Sequence, residues 1–140
     1  MLRSENMAVA TRYINIDEYS DRQNRAAQRI LDALDRGETR LQEHYTQVRH
    51  HKRASCRKVI NIRIPVPGSE PLAFSVFMRD VSSSGAGFIY PGPIHADQVL
   101  IGIPIPGRED TWFQGTIARR KEFVQEGFWD YGVRFTDRLT

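Results

Sequence analysis

Two arginines four residues apart, and a short string of aspartate, serine and glycine, carry most of the side chains here that could do chemistry together. The first string is Arg53-Ala54-Ser55-Cys56-Arg57, an R-x-x-x-R. The second is Asp80-Val81-Ser82-Ser83-Ser84-Gly85, a D-x-S-x-x-G. Arginine presents a planar, permanently charged fork that grips phosphate oxygens bidentately. The same fork fits the O6 and N7 acceptors on the Hoogsteen edge of guanine. An aspartate at a strand end, Asp80, can accept from guanine N1–H and N2–H. Ser82 can bond a base or a phosphate. Gly85, having no Cβ, lets a backbone approach closely. Together these groups suit an anionic guanine nucleotide. Each string also has a plainer reading. R-x-x-x-R can be a solvated basic face at a helix C-terminus, where cations favour the dipole. Asp, Ser and Gly suit any β-turn.

The elements that must position these groups are legible from period. Residues 1–16 are polar and irregular. From about Asp17 to Val48 the pattern is helical. Ser20 with Gln23 reads as a capping box. Ala27, Ile30, Leu34, Gly37, Leu41, His44 and Val48 follow at steps of three and four, an apolar seam interrupted at Gly37 and His44. Gly37 costs roughly 1 kcal/mol in a helix interior. The expectation is one long helix with a break near Gly37, or two helices joined there. Residues 49–58 form a linker. From Val59 the period becomes two, with Ile60, Ile62, Ile64 and Val66 on one face. Further strands follow over Leu72–Arg79, Gly85–Tyr90, Val99–Ile105, Trp112–Phe123 and Phe128–Phe135, separated by Gly/Pro turns. Six short strands of this kind predict a small closed antiparallel barrel, which removes the edges of a lone sheet. Pro65 and Pro104 are expected at edges, bulges or unpaired positions. Trp112 and Trp129 sit on period-two strands and read as core rather than as base-stacking platforms.

Charge narrows the function further. Between Glu43 and Glu70 there is no acid, and that stretch holds Arg49, Lys52, Arg53, Arg57, Lys58 and Arg63. The other fourteen Lys and Arg stand against seventeen Asp and Glu, so the rest of the chain is at −3. The positive charge is a local patch, of the kind that attracts phosphates or anionic lipid heads. A general nucleic-acid surface, which needs broad basic charge, is disfavoured. No apolar run approaches the roughly eighteen residues of a membrane-spanning helix. The N-terminus leads into no apolar signal region. A single cysteine, Cys56, precludes an intrachain disulfide and fits a cytoplasmic protein. The histidines (His44, His50, His51, His95) lack metal-site spacing, so no metal and no cofactor are expected. No P-loop, G-x-G-x-x-G or G-x-S-x-G string is present, and no enzyme activity is expected.

The order and context of the two strings carry a resemblance. A basic linker enters a first strand, a second follows, and the D-x-S-x-x-G turn opens a third. This resembles the PilZ domain, a bacterial receptor module for cyclic di-GMP, over roughly residues 49–138, within a barrel domain expected over 49–140. The closing strand Tyr131-Gly132-Val133-Arg134-Phe135 is also similar to that family's last strand. The resemblance implies a six-stranded PilZ-type barrel preceded, here, by the long N-terminal helix. It implies that Arg53 and Arg57 grip guanine edges and phosphates from the linker. Asp80 and Ser82 would read a guanine from the barrel, with Gly85 making room. A basic residue at Lys52 is compatible with a stacked ligand pair as well as with one molecule. Many members carry a C-terminal helix packed on the barrel. Here the chain stops at Thr140, so the expectation is that one barrel end is open or that the N-terminal helix or a partner chain covers it. The second reading, from another class, is a ligand-free adaptor acting through its helix in oligomerisation or partner docking.

Overall fold

The computed structural model describes residues 13–44 and 58–139, with helix side chains described as far as residue 34. Six strands, β1 (Val59–Ile64), β2 (Leu72–Val81), β3 (Gly85–Tyr90), β4 (Gln98–Ile103), β5 (Thr111–Phe123) and β6 (Phe128–Arg138), follow one helix, α1 (Asp21–His44). They close into an antiparallel barrel in the order β1-β2-β3-β6-β5-β4. The mainly β class, the strand count and the preceding helix are those read from the sequence. Pro65 and Pro104 fall just after β1 and β4, where no ladder hydrogen bond is required of them.

Alternation builds the interior. In β1, Ile60, Ile62 and Ile64 are buried while Val59, Asn61 and Arg63 are exposed. Phe74, Val76 and Met78 of β2, Phe88 of β3, Ile101 of β4 and Tyr131 of β6 meet them in one core. Trp129 packs against this core. Trp112 does not: it lies over Gly102, whose missing Cβ leaves room for the indole, and Arg63 stacks on it at 4.2 Å.

The helix opens on its capping box, with Ser20 N–H donating to Gln23 Oε1 (2.9 Å) and Gln23 N–H to Ser20 Oγ (3.1 Å). Its backbone runs unbroken through Gly37, so neither the break nor the two-helix alternative occurs. One glycine's cost of about 1 kcal/mol is small for a helix held by packing. Residues 45–48 of the expected helix lie outside the described residues. The buried stripe Ala26, Ala27, Ile30 and Leu31, with Leu34 beside it, packs on outward-facing Phe77, Ile89, Phe123 and Phe128. The seam residues Ala27, Ile30 and Leu34 therefore meet the barrel wall. Each buried Ile or Leu contributes roughly 1.5–3 kcal/mol. Ahead of the helix, Tyr13 stacks on Phe74 with ring centroids 4.7 Å apart. Ile14 N–H donates to Tyr90 Oη (2.6 Å) and Ser75 N–H to Asn15 Oδ1 (3.0 Å). β2 outruns β3 at this end, and Asn15 satisfies a donor that β3 leaves unpaired.

The β3–β6 contact demands a glycine at position 85. A Cβ there would strike the Val133 carbonyl oxygen and lie 3.4 Å from Arg134 Cα, both backbone atoms that cannot turn aside. Gly85→Ala should lower stability by about 1–3 kcal/mol, the usual cost of overpacking, and chemical denaturation will measure it.

Two buried tyrosines should respond oppositely to the same substitution. Tyr131 Oη donates to Gly92 O (2.9 Å) and accepts from Ile94 N–H (2.7 Å), pinning the β3–β4 loop. Tyr131→Phe strands the buried Ile94 amide and should cost about 1–3 kcal/mol. Tyr19 Oη is buried with no partner among the described residues. Tyr19→Phe should leave stability unchanged or raise it by about 1 kcal/mol; a loss would contradict the packing of α1. Burial pushes the Tyr131 hydroxyl up to about 12, against about 10 in an unfolded chain. The folded state thus holds this proton more tightly. Its stabilisation is complete below about pH 10 and is lost as pH rises through about 12. Alkaline denaturation of Tyr131→Phe should lack that component.

Candidate ligand-binding site

Two irregularities of register create one polar row on the barrel wall. Between β2 and β3, Met78 faces Phe88 and Asp80 faces Gly87, so the ladder takes two steps on β2 for one on β3. Met78 points into the core, and strict alternation would send Asp80 after it. The bulge at Arg79 turns Asp80 to the outer face instead. Between β5 and β6, Ile117 faces Val133 and Arg119 faces Gly132. The extra residue, Ala118, turns Arg119 outward in the same way. Gly87 and Gly132 are themselves partners. Across four strands the outer row therefore reads Asp80, Gly87, Gly132, Arg119.

The two glycines keep the middle of this row flat. A Cβ on Gly87 would strike the Arg79 guanidinium and sit 2.8 Å from Asp80 Oδ1. A Cβ on Gly132 would sit 3.3 Å from Arg119 Cβ. Over this floor the charges interlock. Arg79 Nη1 donates to Asp80 Oδ2 at 2.7 Å and Arg79 Nε to Asp130 Oδ1 at 3.0 Å. Arg119 Nη2 donates to Asp130 Oδ2 at 3.1 Å. Asp80 and Asp130 are both buried. Carboxylates out of water need such partners, since an unpaired buried charge is far costlier than a paired one. The Arg119 side chain is 51% exposed.

The β2–β3 turn closes one end of the row. Ser82 N–H donates to Gly85 O (2.8 Å), Ser84 N–H to Ser82 Oγ (3.3 Å), and Phe135 N–H to Ser84 O (2.8 Å). The turn is tied to its own hairpin and to β6, so Ser82 is displayed from a braced loop. Asp80, Ser82 and Gly85 line one open groove of about 310 Å³ with Arg79, Arg119 and Arg134. On the neighbouring strand, Lys58 O accepts from Met78 N–H (2.8 Å), two residues before Asp80. The segment that ends at Lys58 therefore leaves the barrel beside the groove.

Three of the sequence-predicted residues, Asp80, Ser82 and Gly85, are brought together. Lys52, Arg53 and Arg57 lie outside the described residues. Arg79, Arg119, Arg134 and Asp130 had no assigned role in the sequence. The available signal was the pair of strand-interior glycines, which marks a close approach. A larger depression of about 1100 Å³ lies on another face, lined by Asn61, Arg63, Arg108, Asp110 and Trp112 among others. Its Asn61 is bonded to Asp110 (2.8 Å) and its Trp112 is covered by Arg63, and none of the motif residues reaches it. Among the described residues no cluster of His, Cys, Asp and Glu could hold a metal ion. No helix there is long and apolar enough to cross a membrane.

The family model for the PilZ domain matches residues 47–140, more than half of the chain. No curated protein and no solved structure matches it. The matched span takes in the whole barrel, the D-x-S-x-x-G turn and the R-x-x-x-R string, and leaves α1 outside. The chain belongs to the PilZ family, a family of cyclic di-GMP receptor modules.

Proposed function

We propose that this protein is a non-catalytic cytoplasmic receptor for cyclic di-GMP. The observation that carries the reading is the convergence of Asp80, Ser82 and Gly85 in one groove beside the point where the linker joins β1. Asp80 accepts from the N1–H and N2–H edge of a guanine, and Ser82 bonds the same base or an adjacent phosphate. The groove, at about 310 Å³, is at the bottom of the roughly 300–1,000 Å³ range of small-molecule sites. It seats part of a dinucleotide, and the rest requires a second surface. The linker supplies one. At up to about 3.5 Å per residue, Arg57 and Arg53 are within reach of a ligand lying in the groove. Their forks meet guanine edges and the two phosphates, and Lys52 adds charge beside them.

In this reading the linker orders over the ligand, and that ordering reorients helix and barrel. The wall offers a route for the coupling. The row next to Asp80 contains Phe77 and Ile89, on which α1 is docked. A change imposed at Asp80 thus acts one row away from the helix footing. Such a binding-linked order transition costs affinity and returns a signal.

Calorimetry with cyclic di-GMP on wild type, Arg53→Ala and Asp80→Ala tests the reading. A charge-assisted hydrogen bond contributes about 1.5–3 kcal/mol, and about 1.4 kcal/mol is a factor of ten. Each substitution should therefore weaken binding tenfold or more. Absence of heat and of chemical-shift change with wild type at physiological salt would overturn it.

A further inference from the structure

The charges on the wall are arranged around one buried residue. Asp130 lies one row from the groove floor, on β6, and its side chain is 6% exposed. Each of its oxygens is committed to a different arginine: Oδ1 to Arg79 Nε at 3.0 Å, and Oδ2 to Arg119 Nη2 at 3.1 Å. The two arginines come from opposite sides, one from the bulge in β2 and one from the strand after the bulge in β5. Both bulges deliver their arginine to the same carboxylate. Arg79 then passes the constraint on, since its Nη1 holds Asp80 Oδ2 at 2.7 Å. Arg119 is the opposite case, half exposed and lining the groove.

Resting on the cyclic di-GMP reading, we propose that Asp130 is the positioning residue of the site, and that Arg119, set by it, is a barrel-borne phosphate contact. Asp130 orients both jaws of the wall. Through Arg79 it fixes the angle at which Asp80 meets the guanine edge. Directly, it holds one nitrogen of Arg119 and leaves the outer N–H groups of that fork aimed into the groove. A bound phosphodiester lying across Gly132 meets them. The barrel then has an anion contact of its own, besides the arginines of the linker. The glycine floor belongs to the same design, since a Cβ at Gly87 would displace the guanidinium that Asp130 sets.

The test is a cycle on the full-length chain: wild type, Arg119→Ala, Arg119→Lys, Asp130→Asn and the Arg119→Ala/Asp130→Asn double, titrated with cyclic di-GMP at several salt concentrations. Arg119→Ala should weaken binding tenfold or more and reduce the salt dependence of log Kd by about one ion. Arg119→Lys should restore the salt slope and only part of the affinity, because a lysine does not reproduce the fork. Asp130→Asn should weaken binding, and less so once Arg119 is alanine, because part of its effect passes through that residue. If Asp130→Asn does not fold, Asp130→Glu takes its place in the cycle. Arg119→Ala binding like wild type, or binding weaker with an unchanged salt slope, would overturn the phosphate contact. Additive effects in the double variant would overturn the positioning role. Failure of wild type itself to bind would instead remove the receptor reading.

Discussion

Side chains on a strand alternate between two faces, and this site depends on two strands each breaking that alternation once. In β2 the alternation that buries Phe74, Val76 and Met78 would also bury Asp80. In β5 the alternation that buries Ile117 would turn Arg119 inward. A closed barrel of six short strands has no room inside for an unpaired carboxylate and guanidinium, whose desolvation costs several kcal/mol each. Extra residues at Arg79 and Ala118 put both groups on the outer wall. The rest follows from that displacement: the row across four strands, the two glycines that keep it flat, and the groove beside the Ser82–Gly85 turn. Bulges recur next to binding sites because they re-aim a side chain without loosening the sheet around it.

The electrostatics divide the work between wall and linker. Arg79, Arg119, Asp80 and Asp130 are two cations and two anions, interlocked at 2.7 to 3.1 Å. Such a quartet fixes direction well and offers no net charge, with Arg134 alone adding a positive group to the groove lining. The doubly anionic ligand proposed for the site would need more than this. The countercharge is concentrated in the acid-free stretch that contains Lys52, Arg53 and Arg57. In the proposed reading, a wall that reads a base edge and a segment that neutralises phosphate are complementary for this reason. A wall carrying the full countercharge would suffer its own repulsion whenever the ligand was absent.

The barrel was legible in the sequence because its signals are local and redundant. Ile60, Ile62 and Ile64 alternate, Gly/Pro clusters mark the turns, and Pro65 and Pro104 sit where strands must stop pairing. The Ser20–Gln23 box fixed the start of the helix. The site was legible only in part. Asp80, Ser82 and Gly85 could be named from their string, but not the face on which Asp80 stands. A one-residue bulge leaves no composition behind it, and counting in twos from Met78 gives the wrong side. Arg119 and Asp130 were hidden for the same reason, since their partnership exists only after register is set. Gly85 illustrates a second limit. Its string suggests room for a ligand, whereas the structure also requires it for the approach of β3 to the Val133 carbonyl. Trp112 read as core by period, yet Gly102 gives it a flat seat outside.

The helix changes meaning for similar reasons. As sequence, Ala27, Ile30 and Leu34 form a seam suited to another helix. In the fold they meet Ile89, Phe128 and neighbouring aromatics of the wall, so that this part of the seam is already covered within the chain. Exposing it again would return several buried aliphatic side chains to water, at roughly 1.5–3 kcal/mol each. A ligand that moved the whole helix off the wall would need a correspondingly large difference in affinity between the two states. A more economical coupling leaves the docked turn in place and acts through Phe77. That residue faces the helix from the strand that also carries Arg79 and Asp80, and its ring meets Tyr19 edge-on with centroids 6.1 Å apart. In the proposed reading, tightening Asp80 against a base would alter the footing of the helix by small shifts within one strand, which a close-packed wall transmits rather than absorbs.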